Sequence, residues 1–173
     1  MAFLKLSQPV IAATMDIYKA SMTNLLPTPA KSHYTFNLRD FARVIQGMLL
    51  TSQEDFEKPQ DLVILWSHEL LRVFYDRLID DDDRQWFLEN LQDLTKKHFH
   101  QTLDKMLVPY GIMPAVGGEL ADDDVRYIMY ATFSEPKGKK TYKRVADIPA
   151  LQKVADAQLD ARDALEIALA LRE

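Results

Sequence analysis

The sequence predicts a mainly α-helical bundle, with a short strand or hairpin near residues 125–133 and a helix at its C-terminal end. Apolar residues recur at helical spacing through the N-terminal half of the chain. A segment rich in β-branched and aromatic residues follows, and an alanine- and leucine-rich stretch ends the sequence. Of the 173 residues, 47% are hydrophobic, which is enough apolar material to bury a core.

The first two predicted helices are separated by a proline-containing break. Ser7 can cap a helix with Pro9 in its first turn, and we expect this helix to end before Pro27. The second helix begins at Asn37, a residue type strongly favoured at the N-cap. Its apolar residues, which predict its buried face, are Leu38, Phe41, Ala42, Ile45, Met48 and Leu49.

The third and fourth helices are predicted to meet near residue 80. The third runs from about Asp61 to Ile79 and carries a wide apolar stripe. Residues Asp80 to Asp83 open the fourth helix, where carboxylates suit the unpaired N–H groups and the helix dipole. Four carboxylates could also hold calcium, but the alternating spacing and the glycine of a calcium loop are missing, so helix capping is favoured.

The C-terminal third is predicted to be less regular. Prolines and glycines mark a connection from residue 108 to 118, the strand candidate spans residues 125–133, and a final helix runs from Ile148 to Glu173. These features divide the chain into a helical subdomain over residues 1–118, an extended or β segment packing on it over residues 119–145, and a C-terminal helix over residues 146–173.

Composition excludes several classes of protein. A net charge of −5 argues against a nucleic-acid partner, which would favour a basic surface. No apolar run approaches the roughly 20 residues of a membrane span, and the N-terminus lacks a signal-peptide pattern, so we expect an intracellular protein without a membrane partner. The absence of cysteine excludes disulfides and cysteine-ligated zinc.

Motifs for catalysis by this chain alone are missing. The phosphate-binding pattern G-x-x-x-x-G-K-[ST] is absent, as are a strand ending in paired acids and a G-x-S-x-G sequence. The four histidines lack the spacing of a metal site, so we predict no metal. A small stand-alone enzyme would have to rely on Glu69, His68 and Asp76, which are poor candidates.

Arg39 occupies an unusual position in the predicted second helix. With Asn37 as N-cap, Arg39 lies in the first turn, where its charge opposes the positive end of the helix dipole, and Asp40 can complete a capping box. An external anion would resolve this conflict. The alternative is a surface arginine paired with Asp40 or Asp16, and composition and spacing alone favour that alternative.

Three segments carry a resemblance to a known family. They are PTPAKSHYTFNLRDFARVIQG at residues 27–47, LWSHELLRVFYDRL at residues 65–78, and MPAVGGEL at residues 113–120. Together, over about residues 1–145, they resemble the C-terminal lid subdomain of an AAA+ module from a dynein heavy chain. The resemblance is greatest to the third module of an axonemal heavy chain. The helix after residue 146 departs from the family pattern, and it is either a linker to the next module or an artificial addition.

The resemblance implies a role in a microtubule motor rather than an activity of the fragment. The lid of an AAA+ module closes over ATP or ADP, supplies a sensor-2 arginine, and transmits nucleotide-driven motion around the ring. By its position in the Asn-Leu-Arg-Asp motif, that arginine is Arg39. The implied partners are the neighbouring AAA+ subdomains and, through the full motor, dynein intermediate and light chains and microtubules in the cytoskeleton of a cilium or flagellum.

Two further expectations accompany this interpretation. Glu69, Arg72, Asp76 and Arg77 have spacings that let Glu69 and Asp76 bracket Arg72, which favours a structural ion-pair network. Arg72 is nevertheless a secondary candidate for contact with the nucleotide. The fragment itself is expected to bind no nucleotide tightly and to lack ATPase activity. The rival to the motor-lid interpretation is a self-contained helical interaction module, which would expose a contiguous apolar groove.

Overall fold

Helices dominate the residues that the computed structural model describes, which are residues 2–112, 121–132 and 141–170. These residues belong to two compact units, residues 1–128 and 129–173. The helices of the first unit are α1 (Ala2–Asn24), α2 (Leu38–Met48), α3 (Pro59–Val73), α4 (Asp81–Phe99), α5 (Leu103–Leu107) and α6 (Asp122–Arg126). Short 3-10 turns lie at Gln53–Asp55, Tyr75–Arg77 and Val108–Tyr110. The predicted mainly helical fold is confirmed.

The core of the first unit lies where α1, α3 and α4 meet. Trp66 on α3 is fully buried, stacks edge-on against Phe99 of α4 and donates its indole N–H to Thr14 of α1 over 2.9 Å. Thr14 in turn donates its hydroxyl to the Val10 carbonyl one turn earlier in α1. The polar edge of the largest core side chain is therefore satisfied, as burial of an indole requires.

The first helix begins earlier than the sequence predicts. It starts at Ala2 rather than at a Ser7 cap, so Pro9 lies inside the helix. Proline fixes φ at a value that a helix accepts, and its cost there is a missing backbone hydrogen bond and a steric clash with the preceding turn. Burial of Val10, Ala13 and Ile17 just after Pro9 anchors the helix through this defect.

The third helix ends earlier than predicted, at Val73 instead of Ile79, and continues as the 3-10 turn Tyr75–Arg77. Tertiary contacts explain the end. The Leu78 carbonyl accepts a hydrogen bond from Arg84 Nε, and Phe74 stacks between Phe36 and Phe87. These partners replace the hydrogen bonds and the packing that a longer helix would have made.

The buried face of α2 is not the predicted apolar one. The buried residues of this helix are Asp40, Val44 and Gly47, whereas Leu38 is 62% exposed and Leu49 is 77% exposed. The predicted apolar face is not the most buried one, because Asp40 binds Arg77 in the turn after α3 and Gly47 lies against Glu69 of α3, and these partners are distant in sequence. The helix consequently presents apolar side chains outward.

The aspartate run caps α4, as predicted. The Asp80 side chain accepts from the Asp82 N–H over 3.0 Å, and Lys31 forms ion pairs with both Asp80 and Asp83. Within residues 2–112, 121–132 and 141–170, no group of three or more histidine, cysteine, aspartate or glutamate side chains is placed to hold a metal ion. Among the same residues, no helix is both long enough and apolar enough to cross a membrane.

The second unit contains a two-stranded sheet and the final helix. Strands β1 (Tyr130–Ala131) and β2 (Lys143–Arg144) are antiparallel, with Tyr130 opposite Arg144, and α7 spans Ile148–Ala170. The predicted hairpin and C-terminal helix are confirmed. The strand was predicted too long, because Asp122–Arg126 forms α6, whose start is stabilised by the Asp124 carboxylate accepting from the Ala121 N–H.

The MPAVGGEL segment lies outside the described residues. The division into residues 1–118, 119–145 and 146–173 stays a prediction.

Candidate functional site

The N-terminus of α2 is built as the sequence predicts. Asn37 adopts an extended conformation, and its side-chain oxygen accepts from the Arg39 N–H over 2.8 Å. The Asp40 carboxylate accepts from the Asn37 N–H over 2.9 Å, which completes the capping box. Two of the otherwise unpaired N–H groups at this end are thereby satisfied.

The side chain of Arg39 is exposed and has no hydrogen-bond or ion-pair partner among the described residues. Both predicted partners are engaged elsewhere. Asp40 pairs with Arg77, and Asp16 accepts hydrogen bonds from Lys97 over 2.7 Å and from His98 over 2.9 Å. The alternative of a locally paired arginine therefore has no support in this part of the chain. Arg39 keeps its charge and its donors available to an external group.

Asp40 is the buried anchor beneath Arg39. It is 2% exposed, and its carboxylate is bound by the Arg77 guanidinium and, over 3.4 Å, by Arg43. Burial by itself raises the pKa of Asp40, but the hydrogen bonds from Arg77 and from the Asn37 N–H outweigh it and hold that pKa below its usual value. The carboxylate is therefore ionised and ties α2 to the turn after α3.

The loop that leads into α2 is fixed to that same turn. His33 Nε2–H donates to the Arg77 carbonyl over 2.9 Å, and the Tyr34 hydroxyl accepts from the Ile79 N–H over 3.0 Å. The Arg77 guanidinium also lies 5.5 Å from the centre of the Phe36 ring. Together these contacts hold the backbone of the first turn of α2 in one orientation. They therefore also fix the point at which the Arg39 side chain leaves the backbone.

Arg72 and Arg77, which were predicted to belong to one ion-pair network, bind carboxylates in two different places. Arg72 donates to Glu69 Oε2 through Nη2 over 2.7 Å and through Nε over 3.1 Å, as predicted. Arg77, by contrast, reaches Asp40 on α2. Sequence reasoning missed this partnership, because neither spacing nor residue type indicates which distant cation meets a buried aspartate.

Glu69 of α3 lies directly beside Gly47 of α2. The Glu69 side chain is fully buried, and it occupies the space where a Cβ on Gly47 would lie. A buried carboxylate needs a partner, and the half-exposed Arg72 supplies it. This geometry supports the structural interpretation of Arg72.

Replacing Arg72 with alanine tests that interpretation. The Glu69 carboxylate would lose its guanidinium while still buried, so we expect the free energy of unfolding to fall by about 1 kcal/mol, between the values typical of exposed and buried pairs. Thermal unfolding of the 173-residue chain measures the effect. Arg72→Lys, which keeps the charge, should recover part of the loss. An unchanged melting temperature for Arg72→Ala would contradict the structural role.

The histidine proposed for a stand-alone enzyme has a structural hydrogen bond. His68 Nδ1–H donates to the Ile128 carbonyl over 2.7 Å, and burial lowers the pKa of His68 despite that bond. The proton on Nδ1 is therefore held in a hydrogen bond to the backbone. The described geometry of this residue thus serves packing between α3 and the segment after α6.

Comparison with known proteins gives a consistent result. A family model described as the AAA+ lid domain matches residues 10–109. The chain is 42% identical over 159 residues to dynein axonemal heavy chain 3 of Mus musculus, which covers 91% of this chain and 4% of that protein. It is 40% identical over 161 residues to dynein axonemal heavy chain 12 of Rattus norvegicus, covering 91% of this chain and 5% of that protein. Over 87 residues, half of this chain and 2% of the relative, it is 51% identical to dynein axonemal heavy chain 1 of Mus musculus.

Proposed function

The chain belongs to the AAA+ lid domain family, and from that membership we propose that it serves as the lid of one AAA+ module in an axonemal dynein heavy chain. It spans about 4–5% of the length of the first of its curated relatives, so its work is done within a much larger protein. In that setting it closes over ATP or ADP, and Arg39 acts as the sensor-2 residue.

The observation that carries this proposal is the exposed Arg39, without a partner among the described residues, on a firmly capped first turn of α2. Leaving a cation at the positive end of a helix costs stability unless an anion compensates it. A phosphate group supplies that anion, and a guanidinium binds phosphate through paired charge-assisted hydrogen bonds. Arg39 is therefore suited to detect the phosphates of a nucleotide.

The charges around the start of α2 fit such a ligand. The helix carries Arg39 and Arg43 in its first two turns, against the single carboxylate of Asp40, which Arg77 already neutralises. The local balance is positive even though the whole chain is acidic. When bound, the nucleotide supplies the negative charge that this end of the helix lacks. The chain's own residues contribute orientation and charge, not the chemistry of hydrolysis.

The outward apolar face of α2 supports a neighbouring subdomain as partner. Leu38 and Leu49 are both largely exposed, one at each end of the helix that bears Arg39. Large apolar side chains left in water favour a protein contact at that surface. A nucleotide-binding subdomain resting there would bring its phosphates toward Arg39 and bury Leu38.

The contacts that join α2 to the rest of the lid support a role in transmitting motion. The Asp40–Arg77 ion pair fixes one end of α2 to the turn after α3, and the close approach of Gly47 to Glu69 fixes the other end to α3. A displacement of the Arg39 end is then passed to the bundle as a rigid body rather than absorbed in a loop. The similarity to axonemal dynein heavy chains supports the ciliary or flagellar axoneme as the site of this work, and we propose the other AAA+ subdomains, accessory chains and microtubules as partners.

Arg39→Ala in the parent heavy chain tests the proposal. We expect nucleotide affinity at this module to fall about tenfold or more, the loss typical of a charge-assisted hydrogen bond. Titration with a fluorescent ATP analogue, with the nucleotide sites of the other modules inactivated, measures it. The 173-residue chain carrying the same change should melt at or slightly above the wild-type temperature, because Arg39 makes no side-chain bond within its described residues and its removal relieves the conflict with the helix dipole.

Lys19→Ala is the matched control, since Lys19 is likewise an exposed cation without an ion pair among the described residues. It should leave nucleotide affinity unchanged. Arg39→Lys should retain part of the affinity, because an ammonium keeps the charge but loses the bidentate geometry. Equal affinities for Arg39→Ala and the wild type would refute the sensor role while leaving the family assignment intact.

A further inference from the structure

Thr28 is the one serine or threonine of the sequence that a proline follows. The chain contains 8 prolines, and none of the others comes directly after a serine or threonine. Pro29 also favours extended backbone at Thr28, because the ring of a proline disfavours the helical region for the residue before it. An extended serine or threonine followed by proline is the pattern that proline-directed protein kinases recognise.

The structure presents the Thr28 side chain to solvent. Residues 26–28 lie between α1 and α2 without helix or strand, and Pro27, Thr28 and Pro29 are all exposed. The Thr28 hydroxyl accepts a long hydrogen bond of 3.3 Å from the Lys31 N–H, and it donates its own proton to none of the described residues. A kinase can therefore reach this oxygen without unwinding a helix or opening the core.

Lys31 links this exposed segment to the start of α4. Its ammonium lies 3.0 Å from Asp80 Oδ2 and 2.5 Å from Asp83 Oδ2, while its backbone N–H lies against the Thr28 hydroxyl. The hydrogen bonds to Asp83 and Asp80 hold the pKa of Lys31 above its usual value, so the ammonium stays charged. A negative group on Thr28 would therefore appear beside a cation that ties the segment to α4.

We propose that Thr28 is a phosphorylation site for a proline-directed serine/threonine kinase, and that the phosphate draws Lys31 away from Asp80 and Asp83. The kinase transfers the γ-phosphoryl group of ATP to Thr28 Oγ1. The bond from phosphorus to the bridging oxygen of ADP breaks, a bond from phosphorus to Oγ1 forms, and the hydroxyl proton passes to a base of the kinase. The phosphate carries a charge of about −1.5 to −2 at pH 7 and three strong acceptor oxygens, so it competes well against carboxylates for the ammonium.

The consequence is a loosened segment ahead of α2. Loss of the Lys31 ion pairs removes one of the ties between this segment and the start of α4. The segment continues through His33 and Tyr34, whose hydrogen bonds to residues 77 and 79 then have to hold it without Lys31. This effect does not depend on the nucleotide role proposed for Arg39, so either proposal can fail without the other.

Incubation of the whole 173-residue chain with a proline-directed kinase and ATP tests the site. Mass spectrometry of the intact chain should show uptake of a single phosphate by the wild type, none by Thr28→Ala, and uptake about tenfold slower by Pro29→Ala. Thr23→Ala is the matched control, because it removes another exposed threonine near the end of α1 that no proline follows, and it should be phosphorylated like the wild type. No uptake by the wild type, or equal uptake by Thr28→Ala, overturns the proposal.

Thermal unfolding of the fully phosphorylated chain tests the effect on Lys31. We expect phosphorylation to lower the melting temperature by about 3 °C, a shift of the size that losing a partly exposed ion pair produces in a chain of this length. In a Lys31→Ala background the ion pairs are already absent, so the shift should fall to less than about half. In a Lys19→Ala background, with the same change of charge on α1, the full shift should remain. An unchanged melting temperature after phosphorylation, or equal shifts with and without Lys31, overturns the proposal.

Discussion

We expect Asp40→Ala to lower the free energy of unfolding of the chain by about 3 kcal/mol, a loss typical of removing one partner of a buried ion pair. The substitution leaves Arg77 facing a space that no longer holds a carboxylate, and it removes the acceptor for the Asn37 N–H. It also severs the tie between α2 and the turn after α3. Urea unfolding followed by circular dichroism measures the change.

Two further substitutions separate the ion pair from other effects. Asp40→Asn keeps the shape and one acceptor oxygen but removes the charge. Its loss of stability should therefore be measurable but smaller than that of Asp40→Ala. Asp93→Ala removes a carboxylate that is 81% exposed on α4, and it should change stability by less than about 0.5 kcal/mol. If Asp40→Ala were no more harmful than Asp93→Ala, Asp40 would not anchor α2.

The same carboxylate predicts part of the acid sensitivity of the fold. Its pKa is lowered in the folded chain, so the stability it contributes is fully present above its unfolded value of about 3.9 and is lost as the pH falls through the folded value. Wild-type stability should therefore decline below about pH 4. Asp40→Asn should start less stable at neutral pH but lose less over that acid range. Parallel acid-unfolding curves for the two proteins would contradict this assignment.

The features that could be predicted are those set by residues close together in the sequence. The Asn37 cap, the aspartates that open α4 and the C-terminal helix each follow from residues within a few positions of one another. Capping and dipole effects act over a single helical turn, so one sequence suffices to recognise them. The short helix α6 carries the same kind of acidic start at residues 122–124, and that signal was available but outweighed by the β-branched residues after it.

The orientation of α2 could not be predicted in this way. A periodic apolar face predicts burial, yet Leu38 and Leu49 are exposed while Asp40 is buried. The deciding partners, Arg77 and Glu69, lie on other elements, and sequence spacing carries no information about their distance from α2. Arg39, in contrast, could be singled out because its conflict with the helix dipole is local.

Gly47→Ala provides the sharpest test of how closely α2 and α3 pack. A Cβ on residue 47 would overlap the carboxylate of Glu69, which is fully buried and bonded to Arg72. Overpacking and displacement of this carboxylate cost about 3 kcal/mol, and the higher helix propensity of alanine returns about 1, so we expect a net loss of about 2 kcal/mol. Urea unfolding of the chain measures this difference.

A double-mutant cycle shows whether Glu69 is the cause. In a Glu69→Ala background the obstructing carboxylate is gone, so Gly47→Ala should change from destabilising to neutral or slightly stabilising. Gly111→Ala is the control, because Gly111 has a φ of +79° with open space around it, and its cost comes from backbone strain. That cost should be the same with and without Glu69. If Gly47→Ala were equally harmful in both backgrounds, the close approach of α2 to α3 would not depend on the Glu69 side chain, and the rigid coupling proposed between the Arg39 end of α2 and the bundle would lose one of its two supports.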